Sequence, residues 1–187
     1  MQRMFLLEKM GIKDVIQNRK LASVKRFKHN GRWRPGENPL QLVGFILCME
    51  DASEIVALKK VQSFFKDHGA VCRTCIYMKN EKMEIPDELI DEDIILLDRK
   101  SVNWYGQVRA GFAEAFMDES FDLLINFSKG YFFTTSYLAS VTKASLKIGR
   151  YEWPHSPYRI VLNVDQSGDV DVFINLLKSS LQIIKFE

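Results

Sequence analysis

Asn126, Ser128, Lys129 and Gly130 bring an amide, a hydroxyl, an ammonium group and a flexible backbone into one short stretch, with Thr134, Thr135 and Ser136 close behind. A loop of this composition leading into a helix suits an oxyanion. The first turn of a helix leaves backbone N–H groups unbonded, and its dipole favours negative charge. Arg99 and Lys100 in one neighbouring loop and Arg150 in another would add cations, and Trp104, beside Tyr105 and Gly106, an aromatic wall. The chemistry expected of such a set is capture of a phosphate-bearing ligand: a nucleotide, a sugar phosphate or a nucleotide sugar. The plainer alternative is that Ser128 caps the helix, Lys129 is solvated and Trp104 staples the start of another helix.

Other constellations exclude more than they offer. The stretch Met49 to Ser53 lacks the glycines that let a backbone approach a dinucleotide pyrophosphate, and Glu50 and Asp51 there would repel it. Gly106 and Gly111 have the glycine spacing of a P-loop, but Phe112 and Ala113 follow where lysine and a hydroxyl are needed. No nucleophile elbow is present. Cys72 and Cys75 are spaced as a redox pair or half a zinc site, yet on a strand that spacing sends their side chains to opposite faces. Only Cys48, His29, His68 and His155 remain as further ligands, so the cysteines read as structural and no metal or cofactor is predicted. His155 and Ser156 lie between Pro154 and Pro157 and read as a rigid turn rather than half of a hydrolytic site.

A second candidate surface is electrostatic. Residues 1–34 carry ten Lys or Arg and two acids, whereas the rest of the chain carries sixteen basic and twenty-two acidic residues. Arg19, Lys20, Lys25, Arg26, Lys28, Arg32 and Arg34 are the cations expected to meet an anionic partner. That partner would be a polyanion, a membrane surface or a protein. The alternative is a solvated helix, or two, docked on the body through Ile12, Val15, Ile16, Val24 and Phe27 and ended by Asn30-Gly31 and Pro35-Gly36.

These residues need elements to position them, and the chain supplies an alternating series. A continuous apolar run from Leu42 to Cys48 fits a strand buried on both faces. Asp51 and Ser53 begin a helix that His68 and Gly69 close. Strands follow at 70–78 and 94–97, a helix running to about Met117, a strand at 121–127 and a helix at 132–142. Short strands at 146–149 and 158–164 precede a closing helix at 169–185, with Val172, Phe173, Leu176, Leu177, Leu181 and Ile184 on its apolar face. Strand and helix in alternation predict parallel crossovers. The expected fold is a three-layer α/β sandwich, Rossmann-like or flavodoxin-like, with a mostly parallel sheet of five to six strands. A basic helical arm at 1–36 would precede a single domain at 37–187. With 187 residues, 47% of them hydrophobic and 27% charged, the composition is that of an ordinary globular chain. Met1 to Met10 reads as no secretory signal, no apolar run spans a membrane, and three cysteines suit a reducing compartment. The expected location is the cytoplasm, with the basic arm allowing peripheral attachment to a membrane surface. Exposed edge strands would permit a homodimer.

Lys100 to Gly106, Phe121 to Ser128, Leu138-Ala139 and Ala144 to Arg150 resemble, in order and spacing, an uncharacterised bacterial family of small α/β proteins with no assigned activity. Phe121 to Gly149 is also similar to part of the N-terminal lobe of heptosyltransferase-like glycosyltransferases. That resemblance implies one Rossmann-like lobe where a complete transferase needs two. The functional expectation is a non-catalytic binding or adaptor protein whose basic arm contacts an anionic partner. The alternative is a small enzyme or ligand-binding protein that holds a phosphate-bearing ligand at the carboxyl ends of the strands.

Overall fold

The computed structural model describes residues 11–24, 39–80, 83, 85–87, 90–163 and 170–183. Six strands, β1 (Leu42–Met49), β2 (Val71–Met78), β3 (Ile94–Leu97), β4 (Ser120–Asn126), β5 (Lys143–Gly149) and β6 (Ile160–Val161), form one sheet. Their order is β3-β2-β1-β4-β5-β6 and every neighbouring pair is parallel. Five helices are described: α1 (Ile12–Ser23), α2 (Ser53–Asp67), α3 (Glu114–Asp118), α4 (Phe133–Val141) and α5 (Val170–Ile183). The expected α/β sandwich is present, and its strand order is that of the Rossmann fold rather than of flavodoxin.

β1 is central because it is the one long strand with nearly every side chain buried. Its pleat divides the core. Val43, Phe45, Leu47 and Met49 point to one face, where they meet Ile55, Leu58 and Phe65 of α2 and Phe173, Leu177 and Leu181 of α5. Ile46 points to the other face, toward Leu124, Phe116, Phe121, Leu138 and Ala139. Gly44 also lies on that second face. A Cβ there would come within 2.8 Å of Leu124 and 2.9 Å of Phe121, so glycine is what lets the β4 side chains close over β1. Cys72 packs on the first face and Cys75 on the second, as strand alternation requires.

α2 ends as its sequence suggests. Gly69 has φ +83°, its N–H donates to Lys66 O and the Ala70 N–H to Phe65 O, a Schellman closure. On α5 the apolar face is narrower than expected: Phe173, Leu177 and Leu181 are buried, while Val172 and Leu176 are exposed. β5 starts at Lys143, before the expected Leu146, and β6 spans only Ile160–Val161 of the expected strand; residues 164–169 and 184–187 lie outside the described residues.

The segment after Tyr105 corrects the expectation of a helix to Met117. Val102 and Val108 form an antiparallel bridge, Gly106 and Gly111 take φ of +94° and +89°, and helix is confined to Glu114–Asp118. Two left-handed glycines and a tight turn interrupt the helical ladder where the apolar spacing alone would have continued it.

α1 follows Gly11, its N-cap, whose N–H donates to the Asp14 carboxylate at 3.1 Å. The helix is docked. Leu21 is buried with Phe133 and Trp153, and Gln17 Nε2 donates to Tyr105 O at 2.6 Å. Ile12, expected on the docked face, is exposed instead.

Candidate functional site

In an open parallel sheet the crossovers leave the central strand pair in opposite directions, which opens a crevice at the carboxyl ends of those strands. Here that pair is β1 and β4. On the face covered by α2 and α5 the crevice widens into a cleft of about 300 Å3. Leu47, Val56, Ala57, Phe127 and Val170 form its apolar walls, and Ser53, Glu54, Lys60, Lys129 and Arg150 its polar ones.

Arg150, the first residue beyond β5, is 5% exposed. Its guanidinium carbon stands 4.9 Å from the Phe127 ring centre and 5.3 Å from that of Phe173. Nη1 makes one long hydrogen bond, 3.5 Å, to Phe127 O, and Nε is buried with no acceptor. Burial lowers the pKa of this group against the pull of the Glu54 charge. Among the described residues no carboxylate forms an ion pair with it.

Glu54 occupies the first turn of α2, and its side chain is 5% exposed. Oε1 lies 3.1 Å from Lys129 Nζ, and Oε2 accepts the Glu50 N–H at 2.9 Å. Glu50 in turn pairs with Lys79 at 2.5 Å. The ends of β2, β1 and β4 are thereby joined by a chain of contacts in which two carboxylates stand between two ammonium groups. The α2 terminus is also closed by its own chain: Asp51 Oδ1 accepts the Ser53 N–H at 2.7 Å, and that bond holds the Asp51 carboxyl below its usual pKa.

The residues expected to act together around the β4 loop are divided by the pleat. Lys129 and Arg150 line the cleft. Asn126 and Ser128 face the other side, fully engaged. Asn126 Nδ2 donates to Tyr158 Oη at 2.6 Å, and Asn126 Oδ1 accepts the Ser128 N–H at 3.1 Å. Ser128 Oγ accepts the Cys48 N–H at 2.9 Å and donates toward Thr135 Oγ1 at 3.4 Å. Ser128 does not cap α4, whose N-cap is Phe132 with no side-chain cap. Gly130 is half-buried beside Lys129 and outside the cleft lining. Arg99 and Lys100 follow β3, separated from β4 by β2 and β1, which at roughly 4.8 Å per strand puts their strand end about 14 Å away. Trp104 is 65% exposed, edge-on to Tyr105 at 5.4 Å, and does not line this cleft. Of the basic arm, Arg19 is exposed and Lys20 half-buried on α1, while Lys25, Arg26, Lys28, Arg32 and Arg34 lie outside the described residues.

Glu54 and Lys60 are the charged groups of the cleft that sequence reasoning missed. Their signal was present, since both sit on the helix after β1. Recognising it required knowing that β1 and β4 are neighbours. The turn at 154–155 is where it was expected, with His155 exposed at φ 71°, but Trp153 is buried against Leu21 and Phe133. All three cysteines are free and buried. Among the described residues no cluster of three or more His, Cys, Asp or Glu side chains could hold a metal, and no helix is long and apolar enough to cross a membrane.

Strand order, parallel pairing and a cleft at the switch point define a Rossmann-type α/β protein. Within that class the chain belongs to DUF6913, a family of unknown function, which matches residues 13–184. No curated protein and no solved structure matches the chain, and the likeness of Phe121–Gly149 to a glycosyltransferase lobe finds no support.

Proposed function

We propose that the protein binds a small ligand through an oxyanion, a carboxylate or a phosphate, in the cleft between α2 and α5, with Arg150 as the anchor. The observation that carries this reading is the state of Arg150: a guanidinium 5% exposed, lining a cleft, with no carboxylate partner among the described residues and Nε unbonded. A buried cation with no carboxylate in ion-pair contact is costly, and an anionic ligand supplies what the fold withholds. Exposed Lys60, which forms no ion pair among the described residues, raises the local concentration of anions at the mouth.

The reading is of a binding protein. A dinucleotide is disfavoured because Asp51 and Glu54 already fill the α2 terminus where its pyrophosphate would sit. The adaptor role expected first draws no comparable support from the described residues, where α1 is docked on the body.

The test is an amide chemical-shift map of the full chain titrated with sodium phosphate and, separately, sodium acetate at constant ionic strength. Changes should concentrate at Leu47, Ser53, Ala57, Phe127 and Arg150. Changes spread over surface lysines, or none at all, would overturn the proposal.

A further inference from the structure

The polar inventory of the cleft is small enough to specify the ligand. Glu54, Lys129 and Arg150 together carry one net positive charge, and of the two cations only Arg150 is buried, Lys129 being 42% exposed in its pair with Glu54 at 3.1 Å. A single negative charge matches it. A second would enter the cleft with only solvated Lys60 to answer it, and burying an unmatched charge is expensive. Shape points the same way. Arg150 lines the cleft beside the rings of Phe127 and Phe173, and the N–H fork of a guanidinium fits the two oxygens of a carboxylate. A phosphate needs further donors for its remaining oxygens. The backbone amides that supply them in other Rossmann-type proteins are here committed, Ser53 N–H to Asp51 and Glu50 N–H to Glu54. Beyond the charged end the walls are apolar, formed by Leu47, Val56, Ala57 and Val170. A volume of about 300 Å3 lies at the small end of ligand pockets.

We infer that the ligand is a small free monocarboxylic acid with an apolar body, its carboxylate forked on Arg150 and its body lying between α2 and α5. This rests on the oxyanion reading of the same cleft and narrows it to one ligand class.

The experiment compares three probes of six carbons each: hexanoate, hexylphosphonate as the dianion, and neutral hexanamide. The readout is the Arg150 Nε–H resonance together with the amides of the cleft walls, in the full chain at constant ionic strength. Hexanoate should move the Nε–H signal saturably, with hexylphosphonate at least tenfold weaker and hexanamide silent. If hexylphosphonate binds as well as hexanoate or better, the carboxylate inference fails while the oxyanion reading survives. If neither anion moves the signal, both fail. Two variants guard against misfolding. Arg150→Lys keeps the charge but loses the fork and should bind hexanoate at least tenfold more weakly. Val56→Trp, at a position 49% exposed at the cleft wall, should block binding while the remote amide spectrum stays unchanged. Undiminished hexanoate binding by both variants would place the ligand elsewhere and overturn the inference.

Discussion

The ring of Tyr158 covers the α-carbon of Gly149 so closely that a Cβ there would fall 2.1 Å from it. The contact sits beside Arg150, and the same tyrosine accepts the Asn126 amide through its hydroxyl. Gly149→Ala must therefore displace a large ring whose hydroxyl is held by Asn126, at a cost of about 1–3 kcal/mol. Urea unfolding should show the loss as a lowered midpoint with an unchanged slope. An unchanged midpoint would mean that Tyr158 yields freely.

Asn126 holds two partners at 4% exposure, the Tyr158 hydroxyl and the Ser128 N–H. Asn126→Leu removes both bonds and leaves each partner buried and unpaired. The expected loss is about 2 kcal/mol or more, because stranding a buried donor costs its full desolvation. Because Asn126 faces away from the cleft, hexanoate affinity should change little in whatever fraction remains folded. A selective loss of binding with stability intact would make Asn126 a ligand residue after all.

That pair of neighbours shows where sequence reasoning reached and where it stopped. The strands and the alternation were legible because runs such as Leu42 to Cys48 and Phe121 to Phe127 carry the apolar signature of a strand buried on both faces. The helix to Met117 was misread because Gly106 and Gly111, both at positive φ, decide a backbone that the local apolar pattern does not. Around the site, nearness in sequence suggested that Asn126, Ser128 and Lys129 act together, but the β4 pleat sends the first two to one face and Lys129 to the other. Arg150 was legible as a cation near strand ends. Its burial and its companions Glu54 and Lys60 depend on strand order, which local pattern does not encode.

The thiols of Cys48, Cys72 and Cys75 are pushed up to about 12, 11 and 12, in each case chiefly by burial. At pH 8 almost no thiolate exists in the folded chain, and thiolate is the reactive form. The native protein should fail to reduce Ellman's reagent on a timescale where the denatured chain reacts at all three cysteines. Comparable rates in the two states would show that the core opens readily.

Lys147 introduces a pH dependence whose sign is fixed. Its ammonium donates to Ala139 O at 2.8 Å and Ser140 O at 3.4 Å in the last turn of α4, yet burial lowers its pKa to about 8. An unfolded lysine titrates near ~10.4. Between these values the unfolded chain binds a proton that the folded chain does not, so this residue makes stability rise with pH. The penalty is fully present below about 8 and gone above the unfolded value. Between pH 7 and 10 the wild type should gain on Lys147→Met by up to about 3 kcal/mol in urea unfolding. Parallel pH curves for the two proteins would show that the ammonium is solvated in the fold.

Arg150 separates a structural role from a functional one. If its charge served the fold, its removal would destabilise; if it serves a ligand, the free protein carries its cost. Nε lacks an acceptor, burial disfavours the charged form, and the aromatic contacts with Phe127 and Phe173 are ones that a methionine sulfur also makes. Replacing a buried, unpaired cation by an apolar side chain of similar length is expected to stabilise by about 1 kcal/mol or more. In a chain of this size that raises the melting temperature by roughly 2–4 °C. Arg150→Met should therefore melt higher than the wild type without ligand and lose the stabilisation that a saturating carboxylate gives the wild type. A lower melting temperature in the free variant would instead make Arg150 a structural residue, held by its rings and the Phe127 carbonyl, and the cleft would lose its anchor.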